Sequence, residues 1–120
     1  MNAYKFLEKQ FKSLYHLNHV DAIASWDEAV MMPLKSGRVR AEALATLRGL
    51  VHEKLTSPKI AEYIEQAKNQ NLTNPWQQAN LYWMEKRFRE ASCLPNELVV
   101  QLTKASLGAE QAWRSLRQQN

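Results

Sequence analysis

Four prolines and three glycines are all that interrupt 120 residues, and the prolines stand where helices would begin or end. Ser57-Pro58 and Asn74-Pro75 each place a capping side chain directly before a proline. A proline at the first helical position gives up only an N–H that the first turn leaves unpaired anyway. Met32-Pro33 reads as a stop, because the residue before proline is pushed out of the helical region. Pro95, after Leu94, opens a last segment, Ser36 precedes another helix, and Asn18 or Asp21 can cap one. Such punctuation leaves room for long helices joined by short connections.

Between these marks the apolar residues recur at helical spacing. Tyr4, Leu7, Phe11 and Leu14 step by three and four. Ile23, Trp26 and Val30 do the same and predict a short second helix with Trp26 buried near its end. Removing a fully buried ring of that size costs about 3–5 kcal/mol. Val39, Ala43, Leu47, Leu50 and Leu55, broadened by Leu44 and Val51, mark a third stripe; Ile60, Ile64 and Ala67 mark a fourth. Leu81, Met84, Phe88 and Ala91 form a fifth, widened by Trp76 and Trp83. Leu98, Leu102, Ala105, Ala109, Ala112 and Leu116 alternate by four and three, a heptad pattern whose alanines let another helix approach closely. No segment alternates with period two. The expectation is an all-α array of about five to six amphipathic helices with short loops, in a single unit spanning 1–120.

The formal charge of +4 and pI near 9.3 raise the question of nucleic acid. Basic residues are interleaved with acidic ones, as in Glu85-Lys86-Arg87-Arg89-Glu90, which is the pattern of a solvated helix face. Lys35, Arg38 and Arg40 are the best local basic patch, and no nucleic-acid partner is expected. No apolar run approaches the roughly 18 residues that a membrane span needs. The N-terminus lacks the apolar stretch of a signal peptide. With Cys93 the only cysteine, an internal disulfide is impossible, and a reducing, cytoplasmic location is the default.

No constellation of residues completes a reactive site. His16 and His19 can share a helix face, but no carboxylate or cysteine nearby makes up the three ligands of a catalytic zinc; they read as a surface pair at a helix junction. His52-Glu53-Lys54-Leu55-Thr56 begins like HExxH, yet Thr56 stands where the second metal-binding histidine belongs. His52 then reads as a packed or partly exposed helix residue. Cys93, at a helix boundary, reads as a small buried apolar residue. Asp27-Glu28 and Glu62-Glu65 read as helix-surface pairs, and the tryptophans as aromatic surface that needs covering. The expected catalytic, cofactor-binding and metal-ligating residues within the chain are therefore none.

One stretch is more distinctive. Ser25-Trp26-Asp27-Glu28-Ala29-Val30-Met31-Met32-Pro33, then Arg40-Ala41-Glu42-Ala43-Leu44-Ala45-Thr46-Leu47, then Leu50-Val51-His52-Glu53, resembles the N-terminal region of the carboxypeptidase Taq family. Leu94-Pro95-x-Glu97-Leu98 and Trp113 continue the resemblance, so it covers nearly the whole chain. Val30 departs from a frequent threonine, and Lys35-Ser36 from a glycine-rich turn. These departures bear on local turn geometry and not on chemistry. The resemblance implies a metal-dependent carboxypeptidase that removes single residues from peptide C-termini. It implies zinc, or another divalent metal, for the full-length parent, with its HExxH and third glutamate ligand beyond Asn120.

Three expectations follow from that resemblance. The chain is the N-terminal piece of a longer polypeptide, forming the wall or lid of a substrate groove, and is inactive alone. It self-associates, a symmetric dimer being the simplest form, because stripes near Trp76, Trp83 and Leu98–Leu116 lack the elements that would cover them. Leaving roughly 600 Å² of apolar surface bare forfeits on the order of 15 kcal/mol. The rival readings are a self-contained helical interaction module, supported by the Leu98–Leu116 stripe, and a small basic nucleic-acid binder, supported by the pI.

Overall fold

Helix α1 (Ala3–Val30) runs unbroken for 28 residues, about 42 Å at 1.5 Å per residue. The computed structural model describes residues 2–119. After α1 come a 3₁₀ turn (Leu34–Ser36), α2 (Gly37–Leu55), α3 (Pro58–Lys68), α4 (Pro75–Ser92) and α5 (Asn96–Gln118), with no strand among the described residues. The all-α expectation holds.

Cap chemistry accounts for most boundaries. Asn2 Oδ1 accepts from the Tyr4 and Lys5 amides at 2.9 and 3.4 Å, opening α1. Ser57 Oγ accepts from the Lys59 amide at 3.3 Å, and Asn74 Oδ1 from the Trp76 amide at 2.9 Å, each beside its proline. Such caps satisfy donors that the first turn leaves orphaned. The Met32-Pro33 stop falls as expected, with the Met31 and Met32 amides both donating to Asp27 O.

The separate second helix around Ile23 does not exist. Asn18 and Asp21 lie inside α1, where neither glycine nor proline breaks the backbone ladder. Asp21 is engaged by Arg48 at 3.0 Å, so its carboxylate does not compete for backbone N–H groups as a cap would.

The larger core gathers Tyr4, Leu7, Phe11 and Leu14 of α1 with Leu55, then Ile60, Ile64 and Ala67 of α3, then Leu81 and Met84 of α4. These are the stripes that helical spacing marks. Lys68 Nζ ties α3 to α4, donating to Glu85 at 3.0 Å and to Glu65 at 3.3 Å. Those two bonds, Glu85 first, hold its ammonium above the ordinary lysine pKa. A second, smaller cluster of Ala41, Leu44 and Leu107, with Ala24 packed against it, lies where α1, α2 and α5 meet. Two cores in series make the molecule long, 61 × 25 × 22 Å. Its radius of gyration is 17.9 Å, against about 13.6 Å for a compact chain of this length.

Several expected core positions face solvent. Trp26 is 59% exposed, and Ile23 and Val30 are equally bare, because the side of α1 that meets α2 in this half carries Ala24 and Glu28 instead. In α2, Val39 and Leu50 are exposed, and the buried face is Ala41, Leu44, Ala45, Gly49 and His52. In α5 the whole heptad stripe from Leu98 to Leu116 is exposed, and the buried residues are Thr103 and Leu107. Cys93 is exposed as well, its thiol donating to Arg89 O at 3.3 Å. Since Trp26 has little cover to lose, Trp26→Ala is expected to change stability by about 0.5 kcal/mol or less. Urea unfolding followed by circular dichroism checks this, and a loss of several kcal/mol would show the ring to be buried.

Candidate functional site

The distinctive stretch from Ser25 to Glu53 folds into two helix segments lying side by side, the end of α1 and most of α2, with α5 against both. Long side chains bind the three together. Arg40 Nη2 meets Asp27 Oδ2 at 2.8 Å while its Nη1 donates to Ala24 O at 2.9 Å. About two turns away along both helices, Arg48 Nε donates to Asp21 Oδ1 at 3.0 Å and its Nη2 to Ser25 Oγ at 3.3 Å. The arginine forks therefore hold α1 through its backbone as well as its carboxylates, a geometry that lysine does not reproduce.

From the other side, Gln111 Nε2 donates to Glu28 Oε1 at 2.6 Å. Arg114 Nη1 reaches the Ala29 and Glu28 carbonyls at 3.3 and 3.5 Å, and its Nη2 pairs with Glu110 at 2.5 Å. The last carbonyls of a helix lack intrahelical partners and carry the negative end of its dipole. A guanidinium placed there closes off α1. Asp27-Glu28 is thus no ordinary surface pair, since Glu28 is buried and both carboxylates are engaged across helices. Beside this clamp a cleft of about 650 Å³ opens between the ends of α1 and α5, lined by Glu28, Met32, Leu34, Gln111 and Arg114 among others.

The fold separates one member of the basic trio from the other two. Arg40 turns inward to Asp27, while Lys35 and Arg38, the latter paired loosely with Glu42 at 3.7 Å, border a groove of about 430 Å³ together with Lys104. His16 and His19 are exposed along the middle of α1 rather than at a junction. His52 is buried, with Nε2 2.9 Å from Ala91 O and Nδ1 3.1 Å from Asn96 Oδ1. Glu53, next in the half-motif, is exposed.

A metal does not fit these residues. Both nitrogens of His52 are already bonded to protein groups. Among the described residues no group of three or more His, Cys, Asp or Glu side chains stands close enough to hold one. The clamp contains carboxylates, guanidiniums and amides, and the one hydroxyl in it, Ser25, accepts from Arg48. Its chemistry is positional: it fixes the end of α1 and the turn through Pro33.

Arg48, Gln111 and Arg114 carry much of this clamp and were not singled out from sequence. The available signal lay in α5, where Thr103, Leu107, Gln111 and Arg114 share a helical face opposite the apolar stripe.

A family model described as Carboxypeptidase Taq (M32) metallopeptidase matches residues 6–120. Thermostable carboxypeptidase 1 of Thermus thermophilus is 30% identical over 118 residues, which are 96% of this chain and 23% of that protein. Thermostable carboxypeptidase 1 of Pyrococcus furiosus is 23% identical over 108 residues, 90% of this chain and 22% of that protein. The chain spans under a quarter of the length of the curated relatives it matches.

Proposed function

The chain belongs to the carboxypeptidase Taq (M32) metallopeptidase family, and from that premise we propose that it supplies the N-terminal helical wall of a metallocarboxypeptidase acting on peptide C-termini. Other segments of such an enzyme carry the hydrolytic site. The observation that carries this reading is the family match over residues 6–120, joined to a share of under a quarter of each relative's length. The clamp gives the wall its stiffness, because Arg40, Arg48 and Arg114 hold the end of α1 from two sides. A divalent metal in such an enzyme activates water and polarises the scissile carbonyl. This chain's own part is to shape the groove and exclude water, which strengthens the electrostatics inside it.

The exposed apolar residues Trp26, Trp76 and Trp83 support the reading, since in a longer polypeptide they are surfaces for further helices to cover. The second reading, a self-contained helical interaction module, is favoured by one feature, the bare stripe of α5. Among the described residues no helix is long and apolar enough to cross a bilayer.

The 120-residue protein, incubated with an N-blocked dipeptide and zinc or cobalt, is expected to release no C-terminal amino acid above background. It is also expected to retain no stoichiometric metal after gel filtration. Metal-dependent release by this chain alone would overturn the wall reading.

A further inference from the structure

Between the start of α2 and the middle of α5 lies the groove of about 430 Å³ that Lys35, Arg38 and Lys104 border. Glu42 is the one acid along it, so three cations against one carboxylate leave two positive charges in excess. All four side chains are exposed. Glu42 meets Arg38 at 3.7 Å with the two side chains 57 and 91% exposed, a contact that water screens. Arg38 can therefore exchange it for another carboxylate at little cost, and the groove's field favours an anionic ligand.

The floor of the groove is bare main chain. Gly108 sits inside the 23-residue α5, where glycine weakens a helix relative to alanine. Packing within the chain does not call for it, since a Cβ at Gly108 would meet nothing within 4 Å. Gly49 is the contrast, because a Cβ there would stand 2.8 Å from Val100. The missing side chain at Gly108 leaves open space in the groove, one turn from Lys104. From Lys104 to Gln111 the helix rises about 10 Å, the span of about three residues of extended peptide. Leu34, 90% exposed, and Ala41 add apolar surface beside the cations, which a ligand of charge alone, such as phosphate, leaves unused. Among the described residues no aromatic side chain lines the groove, so it offers no platform on which bases stack.

We propose that this groove binds an extended acidic peptide, its main chain over Gly108 and its carboxylates shared between Lys104 on one wall and Lys35 and Arg38 on the other. Successive side chains of an extended segment point to opposite sides, so neighbouring acidic residues reach opposite walls. This binding stands apart from the carboxypeptidase reading: it is measured without hydrolysis, and its absence would leave that reading untouched.

The peptide Ala-Glu-Glu-Glu-Ala, blocked at both ends and carrying an uncharged dye, should bind the 120-residue protein saturably in fluorescence anisotropy, and more weakly as salt rises. The same peptide with glutamine in place of glutamate should bind at least tenfold more weakly. Gly108→Leu fills the floor where no neighbour has to move, so it should raise the melting temperature slightly and yet weaken binding at least tenfold. Lys104→Glu and Arg38→Glu, both at exposed sites, should weaken binding by a similar factor. Lys9→Glu, an equal change of charge near the start of α1, should alter it less than twofold. Circular dichroism checks that each variant folds. Hexathymidylate and inorganic phosphate, each at ten times the concentration at which unlabelled peptide competes, should fail to displace the dye-labelled peptide. Absence of saturable binding, equal binding of the glutamine peptide, or binding indifferent to both Gly108→Leu and Lys104→Glu would overturn the proposal. Displacement by hexathymidylate would overturn it in favour of nucleic acid, and displacement by phosphate in favour of a simple anion site.

Discussion

Leu44→Ala is expected to remove about 2–5 kcal/mol of stability and to loosen one half of the molecule before the other. Leu44 is 1% exposed in a cluster whose other buried members are Ala41 and Leu107, with Ala24 packed against it. Two large side chains thus hold the junction of α1, α2 and α5, and alanines around a cavity cannot lean in to refill it. The clamp does not substitute for that packing. Its ion pairs are a quarter to two-fifths exposed on their side chains, and pairs in such settings contribute about 0–1 kcal/mol each. Stability in a two-core molecule is local, so amide exchange should quicken in α5 and the last turns of α1 while α3 stays protected. Leu7→Ala, in the larger core, should instead weaken the half built from α3 and α4. Hydrogen exchange on both variants, with urea unfolding, makes the comparison. A loss below 1 kcal/mol for Leu44→Ala, or exchange raised evenly along the chain, would mean that the two cores do not behave separately.

The same division explains which parts of the fold were legible in the sequence. Tyr4, Leu7, Phe11 and Leu14, with Ile60, Ile64 and Ala67, are buried as their spacing predicts. In that half every stripe finds an opposing helix within the chain, except along the flank of α4 that carries Trp76 and Trp83, which stays exposed. Ser57-Pro58 and Asn74-Pro75 start helices as expected because a cap is a local interaction. In the other half periodicity misleads. Spacing reveals that a helix has an apolar stripe, but not whether anything in the chain covers it. Leu98–Leu116 and Trp26 are uncovered, and the packed side of α5 relies on Thr103, Leu107, Gln111 and Arg114, which read as ordinary polar spacing apart from the leucine. Asn18 and Asp21 misled differently, since a capping residue ends a helix only where the backbone also turns. As for the clamp, the resemblance over Ser25–Glu53 runs through Asp27 and Arg40 without joining them, and by themselves they read as a surface carboxylate and part of a basic patch. The contribution of α5, bonded across 83 to 86 residues, shows in the sequence only as a shared helical face, which does not say what that face meets. Cys93 was misjudged on general burial tendencies, which do not bind at a helix end.

His52→Ala is expected to cost about 2–4 kcal/mol, the sum of a truncated ring and a buried acceptor left without its partner. His52 is 8% exposed on the last turns of α2. A carbonyl can only accept, so the Nε2 that stands 2.9 Å from Ala91 O must carry a proton and donate. Nδ1 lies 3.1 Å from Asn96 Oδ1, on the first residue of α5. One ring therefore ties α2 to both sides of the turn between α4 and α5, a turn with no side-chain cap at Pro95. The backbones are close at this point. A Cβ on Gly49, one turn earlier in α2, would stand 2.8 Å from Val100 Cγ2, a β-branched side chain stiff at χ1. Removing the ring opens a hole lined by the Ala91 carbonyl and the Asn96 amide, and water entering it recovers part of the loss. His52→Gln, whose amide N–H can still reach Ala91 O, should regain about a quarter to a half of what alanine loses, since one net hydrogen bond contributes about 1 kcal/mol. Denaturant unfolding of the three proteins measures both differences. Equal stability of His52→Ala and the parent would mean that the α4–α5 turn holds without the imidazole, and equal losses for alanine and glutamine would mean that the ring acts by packing alone.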